Sequence, residues 1–387
     1  MKIAILTTDN REQWSKYDLT EPVFGTAPAA LLQGFAMLSN VEIHVISCVR
    51  QPMKSPEKIA PNIWYHALLV PKIGWMSTGY QGCIRAARKK LQELQPDIVH
   101  GQGTERDCGM TAIFSGFPNV LTIHGNMRLI ARLTRPPLFS FNWFNKYVEA
   151  FTIPRSLGVV CITNYTREAV RDLARRTWVV PNAVDANFFD VKSRPDSVPT
   201  VLVVGLISPR KNQNAFILAL DDLVRKIPFR VRFIGNAADD VYSQEFLHLV
   251  SKRAWCEYAG PCSPEEVRRH LCGAGMLALP SLEDNCPMVV LEAMAAGVPV
   301  LAANVGGIPD LVEDRRTGLL CDPTRPASMS DAVEWMFGHP AEVRTMAETA
   351  NREARERFHP RVIASRHVGI YREVTGRSMP GFSNTAS

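Results

Sequence analysis

The chain has 387 residues, more than one hydrophobic core usually holds and enough for two domains. Its 46% hydrophobic and 21% charged residues describe an ordinary globular protein. The net charge of +6 suits anionic small molecules or an acidic membrane surface, and it gives no case for a nucleic-acid partner. Nine cysteines without a C-x-x-C spacing point to a reduced, cytoplasmic setting. No apolar run reaches the length of a membrane span, and residues 3–6 are too short for the core of a signal peptide.

Short apolar runs at 3–6, 41–46, 97–100, 120–123 and 159–162 alternate with helical or loop patterns. That alternation predicts an α/β architecture with parallel sheets covered by helices on both faces. Gly25 opens a helix predicted over residues 27–38. His124 follows the fourth run, at a strand end that should face a cleft, where an imidazole can hydrogen-bond a substrate hydroxyl. His100, at another strand end, is read as structural. Residues 127–151 interleave Arg128, Arg132, Arg135 and Lys146 with eight apolar or aromatic residues, among them Leu138, Phe139, Phe141, Trp143 and Tyr147. They are read chiefly as a helical pair broken at Pro136-Pro137, and secondly as a basic, aromatic face for peripheral membrane association or a lipid-linked acceptor.

Residues 190–200 are polar, proline-bearing and unpatterned, a predicted linker. Beyond them, 201–204 restarts the strand pattern and runs into Gly205-Leu206-Ile207-Ser208-Pro209-Arg210-Lys211. The dinucleotide fingerprint G-x-G-x-x-G is missing there, which argues against a nicotinamide oxidoreductase. Strands follow at 229–234 and near 258–260. Residues 276–279 form a buried strand, and 283–286 a polar turn. A helix runs over 288–296, with Pro287 suited to its first turn and Gly297 to its left-handed end. A strand over 298–302 then leads to Gly306-Gly307. A helix starting at a strand end aims free N–H groups at a cleft and suits phosphate. Carboxylates do not bind phosphate, so Asp284 and Glu292, eight positions apart, are suited to sugar hydroxyls. Residues 323–358 are predicted helical, and 361–374 form a last helix before an unpatterned 378–387.

Pro280-Ser281, Asp284-Asn285-Cys286-Pro287, Leu291-Glu292-Ala293-Met294-Ala295 and Gly297-Val298-Pro299-Val300 resemble the donor-site signature of retaining GT-B glycosyltransferases of the large family 4 group. Ile123-His124-Gly125, Val180-Pro181-Asn182-Ala183-Val184-Asp185 and Gly205 through Lys211 resemble three further motifs of that group. The departures are Asp284 where Glu is usual, Ala183 for Gly and Leu206 for Arg. The resemblance implies two facing Rossmann-like domains with an interdomain cleft. The acceptor domain would be 1–189, the linker 190–200 and the donor domain 201–357. A helix over 358–377 would cross back to the first domain, leaving a disordered tail at 378–387. It implies retaining transfer from a nucleotide-diphosphate sugar, with no cofactor and no metal, to a carbohydrate or lipid-linked acceptor. Its site residues would be His124, Asp284 and Lys211 for catalysis. Donor binding would add Gly25, Arg210, Asn285, Cys286, Pro287, Met288, Glu292, Gly306 and Gly307. The alternatives are an inactive sugar-nucleotide-binding protein and a sugar-nucleotide epimerase.

Overall fold

A computed structural model describes residues 1–377 and resolves two compact units: Met1–Ala183 together with the chain from Pro360 onward, and Val184–His359. The tail predicted at 378–387 lies outside the described residues.

The first unit is built on β1 (Lys2–Leu6), β2 (Glu42–Val49), β3 (Lys58–Ala60), β4 (Ile63–Leu69), β5 (Ile98–Gln102), β6 (Asn119–Ile123), β7 (Val159–Cys161) and β8 (Thr177–Val179). They lie in the order β3-β4-β2-β1-β5-β6-β7-β8, all parallel except the edge strand β3. Ile3 and Ile5 pack into one apolar cluster and Ala4 and Leu6 into another, so β1 is buried on both faces. A parallel sheet requires such cover because its crossovers place helices on both sides. The helix Pro360–Thr375 lies against Thr26–Ala36 so closely that a Cβ at Gly34 would meet the Pro360 carbonyl oxygen at 2.1 Å. Phe35 and Tyr371 stack across this contact at 6.3 Å.

The second unit carries β9 (Thr200–Val204), β10 (Arg230–Ile234), β11 (Cys256–Gly260), β12 (Met276–Leu279), β13 (Val300–Ala303) and β14 (Leu319–Cys321). The order β11-β10-β9-β12-β13-β14 is parallel throughout. Val201, Val203, Phe216, Phe233 and Phe246 form the centre of its core. Burying each such side chain contributes about 1.5–3 kcal/mol. In each sheet the strand order reverses direction once, between β1 and β5 and between β9 and β12. Loops leaving the C-terminal ends at such a switch point enclose a crevice.

Three local readings change. The run predicted helical over 323–358 is two helices, Pro326–Gly338 and Pro340–Arg357, because Pro340 cannot continue the first and starts the second. The stretch 190–200 is fastened to the second unit, its Arg194 and Asp196 amides donating to the Cys272 and Gly273 carbonyls at 2.7 and 3.0 Å. The strand Ile63–Leu69 and the helix Gln81–Leu94 were not among the predicted elements.

Candidate functional site

The second unit's switch point is charged. From the end of β9 the chain passes through Gly205 and Leu206 into a single 3-10 turn, Pro209–Lys211. From the end of β12 it passes through Pro280-Ser281 to Asp284. The two loops meet where Lys211 Nζ lies 2.5 Å from Asp284 Oδ2, a carboxylate only 8% exposed that also accepts from Ser281 Oγ at 3.3 Å. Arg210 donates to the Glu283 carbonyl at 3.0 Å and lies 3.7 Å from Asp284 Oδ1. Leu206, in the same loop, is 51% exposed and brings no charge to it.

Beyond Asn285 and the buried Cys286, Pro287 caps the helix Met288–Ala295, whose residues from Val289 to Ala295 are all buried. Gly297 ends it in the left-handed conformation at φ 68°. Glu292, one turn in, is therefore no solvated helix residue: it is 8% exposed on an otherwise apolar helix. Burial, reinforced by Asp185 and opposed by Arg268, pushes its carboxyl up to about 7. Such a group is half protonated near neutrality and sits ready to accept hydrogen bonds as it ionises.

The loop Gly306-Gly307 packs tightly on the Asp284 loop. A Cβ on Gly306 would stand 2.0 Å from the Asp284 carbonyl oxygen, φ there is 56°, and the Gly307 amide donates to that same carbonyl at 3.0 Å. The close approach is thus to the Asp284 loop itself.

In the first unit His124 stands at the end of β6. Its Nε2 lies 2.8 Å from Gln102 Oε1, and the Asn182 side chain also hydrogen-bonds it. Burial pulls the imidazole down to about 4, so the ring is neutral at pH 7. Ala183 is buried without a positive φ, which is why alanine is tolerated in that turn. Gly25 caps the helix Thr26–Ala36 at φ −59°, and the atom nearest a Cβ there, at 3.6 Å, leaves ordinary room, so nothing local requires glycine. His100 is wholly buried between Tyr371 and Thr122, at 2.6 and 2.7 Å, in the structural role predicted for it.

Sequence reasoning missed a cavity of about 390 Å³ at the first unit's switch point. Thr7, Thr8 and Asp9 line it after β1, Arg106 and Asp107 after β5, and Trp75, Tyr80 and Phe141 wall it. Arg50 covers the Trp75 ring at 4.6 Å. Against burial, which would raise it, hydrogen bonds from Arg11 and Tyr65 hold the Asp9 carboxyl below its usual value. The one signal in the sequence was Thr7-Thr8-Asp9, polar residues directly after the first strand. The pair of helices predicted in 127–151 is Met127–Thr134 and Phe141–Thr152. Leu138, Phe139 and Tyr147 there are 71%, 81% and 52% exposed, with Lys146 over the Trp143 and Tyr147 rings. No helix among the described residues is long and apolar enough to cross a membrane.

Two parallel sheets of this order, each with polar groups gathered at its switch point, define the α/β class with the GT-B fold. The structures of sucrose-phosphate synthase from Thermosynechococcus elongatus and of HepE from Anabaena in complex with UDP and glucose superpose with TM-scores of 0.76 and 0.72. They do so at 18% and 17% identity, over 98% and 96% of this chain and all of theirs. The family model for glycosyl transferases group 1 matches residues 184–355, and that for glycosyltransferase family 4 matches 29–188. The chain belongs to the group 1, family 4 glycosyltransferases. It is 25% identical to the alpha-D-kanosaminyltransferase of Streptomyces kanamyceticus over 67% of its own length and 71% of that protein's. Matches to other curated relatives span 62% and 45% of their length.

Proposed function

We propose that the protein transfers a glycosyl unit from a nucleotide-diphosphate sugar to a hydroxyl acceptor with retention of anomeric configuration. The observation that carries this reading is the second unit's switch point, where two cations, a helix N-terminus and two buried carboxylates are gathered. Lys211 and Arg210 face the diphosphate together with the first N–H groups of Met288–Ala295, offsetting the charge that develops as the glycosidic bond breaks. Glu292 accepts from the ribose hydroxyls. Asp284, released from Lys211 when phosphate arrives, accepts from the donor sugar, and the neutral His124 of the first unit is suited to a sugar hydroxyl. Asn285, Cys286, Gly306 and Gly307 shape the loops around it, while Gly25 marks the corresponding helix start in the first unit. The diphosphate is neutralised by these side chains and needs no metal or other cofactor, so donor turnover persists in excess EDTA. Abolition by EDTA would overturn that part.

The aromatic-walled cavity of the first unit suits a carbohydrate acceptor. The exposed aromatic and basic residues of 138–147 suit a lipid-linked one in polysaccharide or glycan assembly at the cytoplasmic membrane face. The test is a thermal-shift panel of UDP, GDP, ADP and their common sugars on wild type and Glu292→Ala. Stabilisation by one nucleotide family, lost in the variant, supports the donor site; a ligand at a hundredfold over its Kd adds about 2.7 kcal/mol. No response to any nucleotide would sink the reading. The exposed Leu206 motivates a second one, an inactive sugar-nucleotide-binding protein, for which binding would occur without hydrolysis or transfer.

A further inference from the structure

Beneath the cavity of the first unit three metal-ligating side chains converge from elements far apart in sequence. Cys48 lies in β2, Cys83 in the helix Gln81–Leu94 and Asp107 at the start of the helix Asp107–Ile113. Their ligand atoms all lie within 4.8 Å of one another. Cys83 is fully buried, Asp107 is 8% exposed, and Cys48 Sγ stands 3.9 Å from the Cys83 carbonyl oxygen. Cys48 and Asp107 also line the cavity, which gives an entry path to the cluster. The adjacent Cys108 belongs to a separate apolar cluster with Ala4, Leu6 and Val99 and takes no part.

We infer that Cys48, Cys83 and Asp107 form a binding site for a thiophilic divalent ion of the zinc class, with its fourth position open to the cavity. Two sulfurs and one carboxylate are a donor set for zinc, cobalt or cadmium, whereas magnesium and calcium call for oxygen ligands throughout. Zinc bonds sulfur at about 2.3 Å and carboxylate oxygen at about 2.0–2.2 Å, which sets tetrahedral ligand atoms roughly 3.7 Å apart. A spread of at most 4.8 Å therefore needs little more than 1 Å of closing, within reach of side-chain torsions alone. On binding, a dication takes the place of the protons on these groups and holds their anionic forms together. Three protein ligands and one open position are the arrangement of a site that can take water or an oxygen of a bound molecule. This site belongs to the first unit and does not depend on the diphosphate reading of the second.

The test is a cobalt(II) titration of the full, phosphine-reduced chain, read by thiolate-to-cobalt charge transfer in the near ultraviolet and by visible ligand-field bands. The expected result is saturation at one equivalent, reversed by zinc. The bands disappear in Cys48→Ser and in Cys83→Ser, and affinity falls by at least about tenfold in Asp107→Asn, since losing even an outer partner of a ligand has that effect. The double variant Cys262→Ser with Cys272→Ser, which removes partly exposed thiols of the second unit, should titrate as wild type. Circular dichroism verifies folding of each variant; Cys48→Ser, on the cavity wall, decides the matter if the buried Cys83→Ser does not fold. Absence of stoichiometric charge transfer, its survival in Cys48→Ser, or its loss in the Cys262, Cys272 double variant would each overturn the proposal.

Discussion

In both units the strand order turns back at the first strand, β2-β1-β5 in one and β10-β9-β12 in the other, yet their switch points hold different chemistry. In the second unit the crevice is lined by charges already paired, Lys211 on Asp284 and Arg210 on Glu283. In the first it is a cavity walled by Trp75, Tyr80 and Phe141 over buried thiols and carboxyls. The shared topology fixes where a ligand can sit, and the loop residues fix which ligand. A charged crevice favours a highly charged phosphate-bearing molecule, and an aromatic one favours ring faces and hydroxyls.

The sharpest way to break this contrast is Lys211→Ala. It removes the cation proposed to face the diphosphate and leaves Asp284 buried without its partner, so kcat/KM should fall by about 10²–10³, measured as donor turnover. An unchanged rate would detach the charged crevice from the reaction. Next is Trp75→Ala, which should raise the acceptor KM about tenfold through loss of a ring platform while leaving nucleotide affinity unaltered in the thermal-shift panel. A fall in nucleotide affinity instead would erase the division of labour.

Gly306→Ala follows. With a Cβ 2.0 Å from the Asp284 carbonyl and a left-handed φ, it should lower stability by about 1–3 kcal/mol in urea unfolding. Gly25→Ala, where space and φ are ordinary, should move it by no more than about 0.5 kcal/mol.

A smaller effect is expected from pH. The folded value of Glu292 is raised from 4.5 to about 7, so the stability it contributes is full below pH 4.5 and is lost as pH rises through 7. In the role proposed for Glu292, ribose hydroxyls donate to the ionised form, so nucleotide affinity should increase severalfold between pH 6 and 8 and become flat in Glu292→Gln. A profile of wild type already flat over that range would refute the assignment. A change of similar size is expected of Leu206→Arg, a gain in nucleotide affinity of about twofold from one exposed charge.

What was legible in the sequence was what lies along it. The strand Met276–Leu279, the helix behind Pro287 and the left-handed Gly297 follow from local rules, and the family motifs bring Lys211 and Asp284 to one loop system across 73 positions. The burial of Glu292 was not legible, because it comes from packing around the helix, and neither was the nearby charge of Asp185. Nor was the cavity, whose walls come from six separate segments, or the hold of Gln102 on His124 from a neighbouring strand. The strand Ile63–Leu69 went unseen because His66 interrupts the apolar run expected of an interior strand.

The fit between Gly306 and the Asp284 carbonyl has a further consequence. Two loops that touch backbone to backbone, with the Gly307 amide bonded across, cannot be adjusted one at a time. Efforts to broaden the accepted sugars by randomising the 281–286 loop would meet this constraint first. Libraries that keep Gly306 will select loops preserving the position of one carbonyl oxygen, and those that vary it must remodel both segments together.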